Sequence, residues 1–478
     1  MSELTTQSLL HLAALMRARE VSPVEVMEAH LHRIDQLNPM LNAIVTLAPD
    51  AMEMAHKAEA AIMHGDETGP LHGVPVTIKD TIETKGLRTT SGSRVRAYYV
   101  PREDASAVAR LRNAGAIILG KTNVAEMAAA YDTENPVFGR ANNPHDLSRT
   151  SGGSSGGEAA AIATCLSPGG LGSDLMGSIR VPSHFCGVVG LKPTTGRVRC
   201  DGHIPVTAGA TLLGAVMGPM ARYVEDVRIL FHVIGGFIET DSDSVPASDA
   251  LSMVDLGGCR AAWHTFDGVS PVTEDTRRAV ESAAHALENA GLNVSEEKPP
   301  AIEHGHSLWT KLFASAALVH MRSEYSERED EAGALVRYLL DSSLDAPTAP
   351  LDEFSRAWVV RNQLRATLLD WMKERPLIIA PVGAMPAYKH GARKVDIEGQ
   401  AINIFRAFSY AQTYNVFDLP VACVPAGISR DGLPIGVQII GTPFAEETVL
   451  AAAALVEKAL GGWRQPLLSP STQGHNPL

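Results

Sequence analysis

Three short segments of the 478-residue chain place nucleophilic or basic side chains in unusual company: GVPVTIKD (73–80), SGGSSGG (151–157) and GSDLMGSIRVP (172–182). The first ends a run of Val and Ile on Lys79, where an ammonium is poorly solvated and burial favours the neutral amine that a general base must be. The other two set Ser154 among glycines and Ser178 directly after Gly177. Glycines there let the backbone approach a substrate closely and adopt dihedrals that a β-carbon would block. Such turns also aim several N–H groups at one point. An oxyanion hole needs that arrangement, and losing one of its donors costs on the order of 2.7–4 kcal/mol of transition-state stabilisation.

Each segment also has a plainer reading. GGSSGG alone is more often a flexible connection. It satisfies GxSxG around Ser154 or Ser155, but the preceding NNPHDLSRTSG is not the apolar strand that a nucleophile elbow requires. GGLGSDLMG lacks the GxGxxG spacing of a dinucleotide loop. His304 and His306 have no partner cluster and read as loop histidines, so no metal site is expected. Lys79 in isolation is a solvated strand end, and Asp174 with Arg180 reads as a structural ion pair orienting its loop.

The elements around these segments change in character along the chain. Residues 1–65 read as helices: Leu9, Leu10, Leu12, Leu15 and Met16 make one apolar face, and Ser22-Pro23 opens a second helix that ends near Asn38-Pro39. A third stretch runs from about Asp50 to His64. From Leu71 short apolar runs alternate with helical patterns: VPVTIKD, SAVARLRNAG and AGAIILGKTN read as strand, helix, strand. The rhythm returns at CRAAWHTF, the helix around Val280, and LNVSEEK. Residues of about 300–375 are mostly helical, and LIIAPV and GLPIGVQIIG are strands again. The sum is an α/β fold, a single large domain over residues 1–478 with a central mixed β-sheet covered by helices.

Composition narrows the function classes. Forty-one basic against 54 acidic residues give a formal charge of −13, which argues against nucleic acid or an anionic membrane surface as partner. The N-terminus lacks a basic-then-apolar leader pattern, and no run of about 18 apolar residues occurs. Five widely spaced cysteines without CxxC fit reduced thiols in a cytoplasm. Only the last ten residues, SPSTQGHNPL, are expected to be loose.

Taken together, the segments resemble the amidase signature family, whose hallmark is a Ser/Gly-rich stretch with a Ser, cis-Ser, Lys triad. The likeness covers about residues 71–200, the expected catalytic core, with TNVAE (122–126), NPVFGRANNP (135–144), GGSSGGEAAA (152–161), GSIRVP (177–182) and CGVVGLKPT (186–194). It resumes at LPVACVPAG (419–427) and GLPIGVQIIG (432–441). The resemblance implies Ser178 as nucleophile, Ser154 as the cis-Ser relay and Lys79 as base, with the N–H groups of Leu175, Met176, Gly177 and Ser178 holding the oxyanion. It implies a small-molecule amide as substrate and no cofactor, and leaves a homodimer open. The segment near 126–132 is expected to line the substrate channel. Ala129, Tyr131 and Gly153 are the expected substrate-binding residues, and the small Ala128, Ala129 and Ala130 suit an aryl group; residues 300–375 are expected near the channel mouth.

Two departures from the family pattern stand out. Met176 occupies a usual glycine position and is expected to restrict the loop or narrow the pocket. Val181 follows Ile-Arg where glutamine-using amidotransferase subunits carry Gln, which speaks against glutamine as substrate. The alternative readings are one component of a multi-subunit tRNA-dependent amidotransferase and a noncatalytic binding relative.

Overall fold

Short Val/Ile-rich runs flanked by Gly and Pro cannot satisfy their backbone groups alone, and here they pair into one broad sheet. The computed structural model describes residues 2–207, 209–237, 245, 254–345 and 349–468, without the side chains of 2 and 342–345. SPSTQGHNPL lies outside the described residues.

Eleven strands make up the sheet: β1 Ile44–Leu47, β2 Pro75–Lys79, β3 Ile117–Thr122, β4 Gly169–Asp174, β5 Val189–Lys192, β6 Val216–Ala221, β7 Arg260–Trp263, β8 Asn293–Glu296, β9 Leu377–Pro381, β10 Val421–Ile428 and β11 Pro434–Gly441. Their order is β1-β3-β2-β4-β6-β5-β10-β11-β9-β7-β8. The sheet is mixed. β2 runs parallel to both β3 and β4, and β7 parallel to β8 and β9, while the other pairs are antiparallel. Helices flank it, including Gly156–Ala163, Arg180–Cys186, Glu274–Asn289 and Glu446–Leu460. The expected single domain with a mixed sheet is what forms.

Three details differ from the expectations for residues 1–65. The segment is not all helix, because Ile44–Leu47 pairs antiparallel with β3 at the sheet edge. Helix Pro23–Leu41, opened by a capping box between Ser22 and Glu25, runs through Pro39. Pro39 sits so near the helix end that little of the ladder follows it, and the helix stops at Asn42, which takes a left-handed conformation. Leu9, Leu12 and Met16 are buried, whereas Leu10 is 37% exposed and lies off the apolar face.

The helix-rich stretch includes Gly305–Trp309, Ser315–Glu324 and Leu351–Met372. It is tied to the segment of residues 71–200. Arg96 pairs with both carboxylate oxygens of Glu324 at 2.5 and 2.9 Å, and Glu126 accepts from Tyr325 Oη at 2.6 Å and from Gly333 N–H at 3.0 Å. A small apolar cluster of Met127, Met321, Tyr325, Ala332, Val336 and Leu340 fills the seam. Among the described residues no helix is long and apolar enough to cross a membrane.

Candidate active site

Parallel pairing of β2 with β4 brings the carboxyl ends of both strands to one edge of the sheet, the usual place for a site in such an arrangement. β2 ends on Lys79 and β4 on Ser173 and Asp174. Side chains two apart on a strand share a face, so Thr77 and Lys79 both meet the segment that opens helix Gly156–Ala163. Thr77 Oγ1 donates to Glu158 at 2.5 Å, and Lys79 Nζ lies 2.7 Å from Ser154 Oγ. Ser154 follows a cis peptide bond from Gly153.

Lys79 is fully buried, and that burial lowers its pKa to about 7 against the opposing pull of Asp174 and Glu158. Nζ has three polar neighbours: Ser154 Oγ at 2.7 Å, Ser173 Oγ at 3.0 Å and Ser173 O at 3.4 Å. A neutral amine has two N–H groups and one lone pair. Spending both N–H groups on Ser173 leaves the lone pair for the Ser154 hydroxyl.

Ser178 stands on the turn between β4 and helix Arg180–Cys186, and its carbonyl accepts from Ser155 N–H at 3.2 Å. Arg180 fixes this turn from below. It is fully buried, donates to both oxygens of Asp174 at 2.9 and 3.0 Å, and reaches Ala411 O, Gln438 and Asn415. Burial pushes the Asp174 carboxyl up, but the Arg180 charge and hydrogen bonds hold it well below the usual carboxylate range. Asp174 in turn accepts from Gly177 N–H at 2.8 Å and Ile179 N–H at 3.1 Å. This pair is the structural ion pair expected from the sequence.

The arrangement differs from expectation in the oxyanion loop and the pocket. Gly177 N–H is committed to the Asp174 carboxylate, so of the four expected oxyanion donors it is the one drawn away. Gly177 itself takes φ +107°, and a β-carbon there would lie 2.6 Å from Ala411. Met176 is not among the residues with positive φ, so the loop does not need glycine at that position. Its side chain instead narrows the pocket as part of the wall.

A cavity of about 470 Å³ opens on Ser154 and Ser178. Its wall is mostly apolar and includes Ala128, Ala129, Leu175, Met176, Trp309 and Leu318, with His306 and Arg406 among its polar members. The helix-rich stretch forms part of this wall, from His306 through Trp309 and Leu318 to Met321. Tyr131 and Gly153 are not on that wall. Tyr131 is buried behind the loop, donating to Met176 O at 2.6 Å and accepting from Gln412 at 3.0 Å, and Gly153 is packed against the Ala130 carbonyl. Val181 is likewise buried behind the loop, against Gly177. His306 bonds Gln412 at 2.7 Å while His304 points to Glu303, and among the described residues no group of three or more His, Cys, Asp or Glu could hold a metal ion. Sequence reasoning missed His203, Trp309 and the role of Ser173, all of which line the cavity.

Comparison with known proteins matches residues 25–450 to the model of the amidase family. The chain belongs to the amidase signature family. It is 34% identical to a glutamyl-tRNA(Gln) amidotransferase subunit from Bdellovibrio bacteriovorus, over 96% of this chain and 98% of that one. It is 30% identical to human fatty-acid amide hydrolase 2, covering 96% and 90% of the two chains. Among solved structures, a bacterial aryl acylamidase of the same family superposes with a TM-score of 0.84 at 26% identity, covering 95% of this chain and 96% of that one. As a member of this family the protein is a hydrolase of carbon–nitrogen bonds.

Proposed function

We propose that this amidase signature enzyme hydrolyses amides bearing a bulky apolar acyl or aryl group, through an acyl-enzyme on Ser178. Neutral Lys79 takes the Ser154 hydroxyl proton while Ser154 takes that of Ser178, and Ser178 Oγ attacks the carbonyl carbon. The N–H groups of Leu175, Met176 and Ser178 hold the oxyanion. The proton stored on Lys79 returns through Ser154 to the leaving nitrogen as the C–N bond breaks. Water then enters by the same relay, releasing the carboxylic acid and restoring Ser178. A Ser154–Ser178 hydrogen bond is not formed among the described residues; contacts of this kind commonly tighten only when substrate is bound.

The observation that carries this reading is the 2.7 Å contact between Ser154 and a buried lysine whose pKa falls near neutrality, on the rim of a largely apolar cavity. A space of about 470 Å³ suits a substrate of drug-like size and leaves a short aliphatic amide mostly unheld. Aryl acyl-amides and aryl carbamates both fit that description. Glutamine, the substrate of the amidotransferase reading, is favoured by the likeness to the Bdellovibrio amidotransferase protein but opposed by the apolar wall. The cysteines stand as thiols and not in disulfides among the described residues, in keeping with a reducing compartment such as the cytoplasm.

The test is hydrolysis by the purified single chain of an acyl-anilide, an aryl carbamate, a short aliphatic amide and glutamine, alongside Ser178→Ala and Lys79→Ala. Turnover of the anilide or carbamate, lost in both variants, supports the reading. Inertness on all four, or activity surviving in Ser178→Ala, sinks it.

A further inference from the structure

The segment that follows β5 returns to the site edge. His203 forms an antiparallel bridge with Ile82, Ile204 N–H donates to Thr81 O at 2.7 Å, and Glu83 N–H donates to Gly202 O at 2.8 Å. These bonds stitch residues 202–204 to the chain just beyond Lys79. His203 is thereby held with its ring against Ser173, Nε2 lying 2.8 Å from Ser173 Oγ. The other ring nitrogen, Nδ1, lies 2.8 Å from the Pro205 carbonyl oxygen.

That second contact decides the tautomer. A carbonyl oxygen only accepts, so Nδ1 carries the hydrogen and a neutral ring presents a lone pair at Nε2. Ser173 must then donate its single hydroxyl hydrogen to His203, which leaves its oxygen free to accept from Lys79. Were that hydrogen free to rotate, it could turn to the lone pair of neutral Lys79 and compete with Ser154 for the base. Burial, and after it the charge of Lys79, lowers the His203 pKa to about 4, so the ring stays an acceptor at neutral pH.

We infer that His203 is a positioning residue which, by holding the Ser173 hydroxyl hydrogen, keeps the Lys79 lone pair directed at Ser154. The inference rests on the Lys79–Ser154–Ser178 reading and adds Ser173 and His203 on the far side of Lys79 from Ser154. Ser173 touches the base on one side and His203 on the other, and in this role His203 acts through Ser173.

The test compares His203→Leu, which removes the acceptor, with His203→Gln, whose amide oxygen can still accept from Ser173. Each is assayed on an acyl-anilide across pH 5 to 10, with folding checked by circular dichroism. His203→Leu is expected to lower kcat by roughly tenfold to a hundredfold with KM nearly unchanged, the scale of a misaimed catalytic group. It should also move the acid limb of the kcat profile to lower pH, because Ser173 then stabilises the neutral amine by donating to it. His203→Gln should recover most of the loss and return the limb. A folded His203→Leu enzyme with wild-type kcat and limb overturns the inference, as does a Gln variant as impaired as Leu. Lys79→Ala, run in parallel, separates the two ideas: its loss of activity beside an unaffected His203→Leu removes the positioning role alone, while its retention of activity removes the triad reading as well.

Discussion

Trp309 Nε1–H donates to the Leu175 carbonyl at 3.0 Å, linking the helix-rich stretch to the loop that precedes Ser178. Because a peptide plane is rigid, fixing the Leu175 carbonyl toward Trp309 turns the Met176 N–H the opposite way. Tyr131 holds the next carbonyl, that of Met176, at 2.6 Å. The loop's N–H groups are thus aimed by two aromatic side chains from outside it, one of which, Trp309, also lines the cavity that opens on Ser178.

Trp309→Phe keeps a ring to stack on Phe405, which lies 6.3 Å away at 18°, and removes the donor along with part of the indole's bulk. A hydrogen bond of this kind is worth about 1 kcal/mol, so kcat/KM is expected to fall roughly fivefold with little change in melting temperature. Steady-state kinetics on an anilide decide it. Unchanged kcat/KM would mean that the loop holds its shape without Trp309.

The pKa of Lys79 sets the direction of the pH dependence. In the proposed relay the base acts when neutral, so activity is expected to rise with pH and to reach half its plateau near 7. Two pH units below that midpoint, about 1% of the plateau rate is expected from simple titration. Glu158, itself raised to about 7 by burial against the pull of its threonine partners, favours the ammonium of Lys79 through its charge. Glu158→Gln should therefore move the acid limb to lower pH; a shift upward would contradict the assignment of the limb to Lys79.

Much of the candidate site was legible because its residues lie in contiguous motifs: Lys79 at a strand end, Ser154 among glycines, Ser178 after Gly177. The alternation of apolar runs and helical patterns likewise gave the β2, helix, β3 unit correctly. What escaped was long-range. His203 is 30 residues from Ser173 in sequence and Trp309 is 134 from Leu175, and nothing in GHIP or SLWT marks either as a neighbour of the loop. Tyr131 and Gly153 lie in motifs beside the cavity, but motif membership does not say what a residue packs against: the Tyr131 ring turns to Met176 and Gln412, and Gly153 lies against the Ala130 carbonyl. The edge strand Ile44–Leu47 is four residues long between two helices, too short for a period to declare itself.

Ala129 stands on the cavity wall with Ala128, beside Met127 in a turn where Met127 and Ala128 have positive φ. A phenyl ring at 129 would extend into space that a bulky acyl or aryl group needs. Ala129→Phe is expected to raise KM for an acyl-anilide on the order of tenfold, the scale of a lost apolar contact plus a clash, and to leave a short aliphatic amide within about twofold. Equal losses on both substrates would show that the ring disturbs the catalytic groups themselves.

Removing one member of the Asp174–Arg180 pair strands the other in a fully buried site. Arg180→Leu is expected to cost roughly 3–5 kcal/mol of stability, because the Asp174 charge then lacks its partner. The sign of the pH dependence follows from the direction of the shift. In the wild type the folded Asp174 pKa is depressed below its ordinary value of 3.8, so the pair's contribution is fully present above that value and is lost as pH falls through the folded one. In Arg180→Leu only Asn415, Lys192 and the loop N–H groups still oppose burial, so the carboxyl rises and the folded variant takes up a proton more readily than the folded wild type. Its deficit against wild type should consequently be largest near pH 8 and shrink toward pH 5. Thermal unfolding of both proteins at those two pH values measures this, and a deficit that stays constant would mean that the loss arises from packing around the guanidinium and not from the unpaired carboxylate.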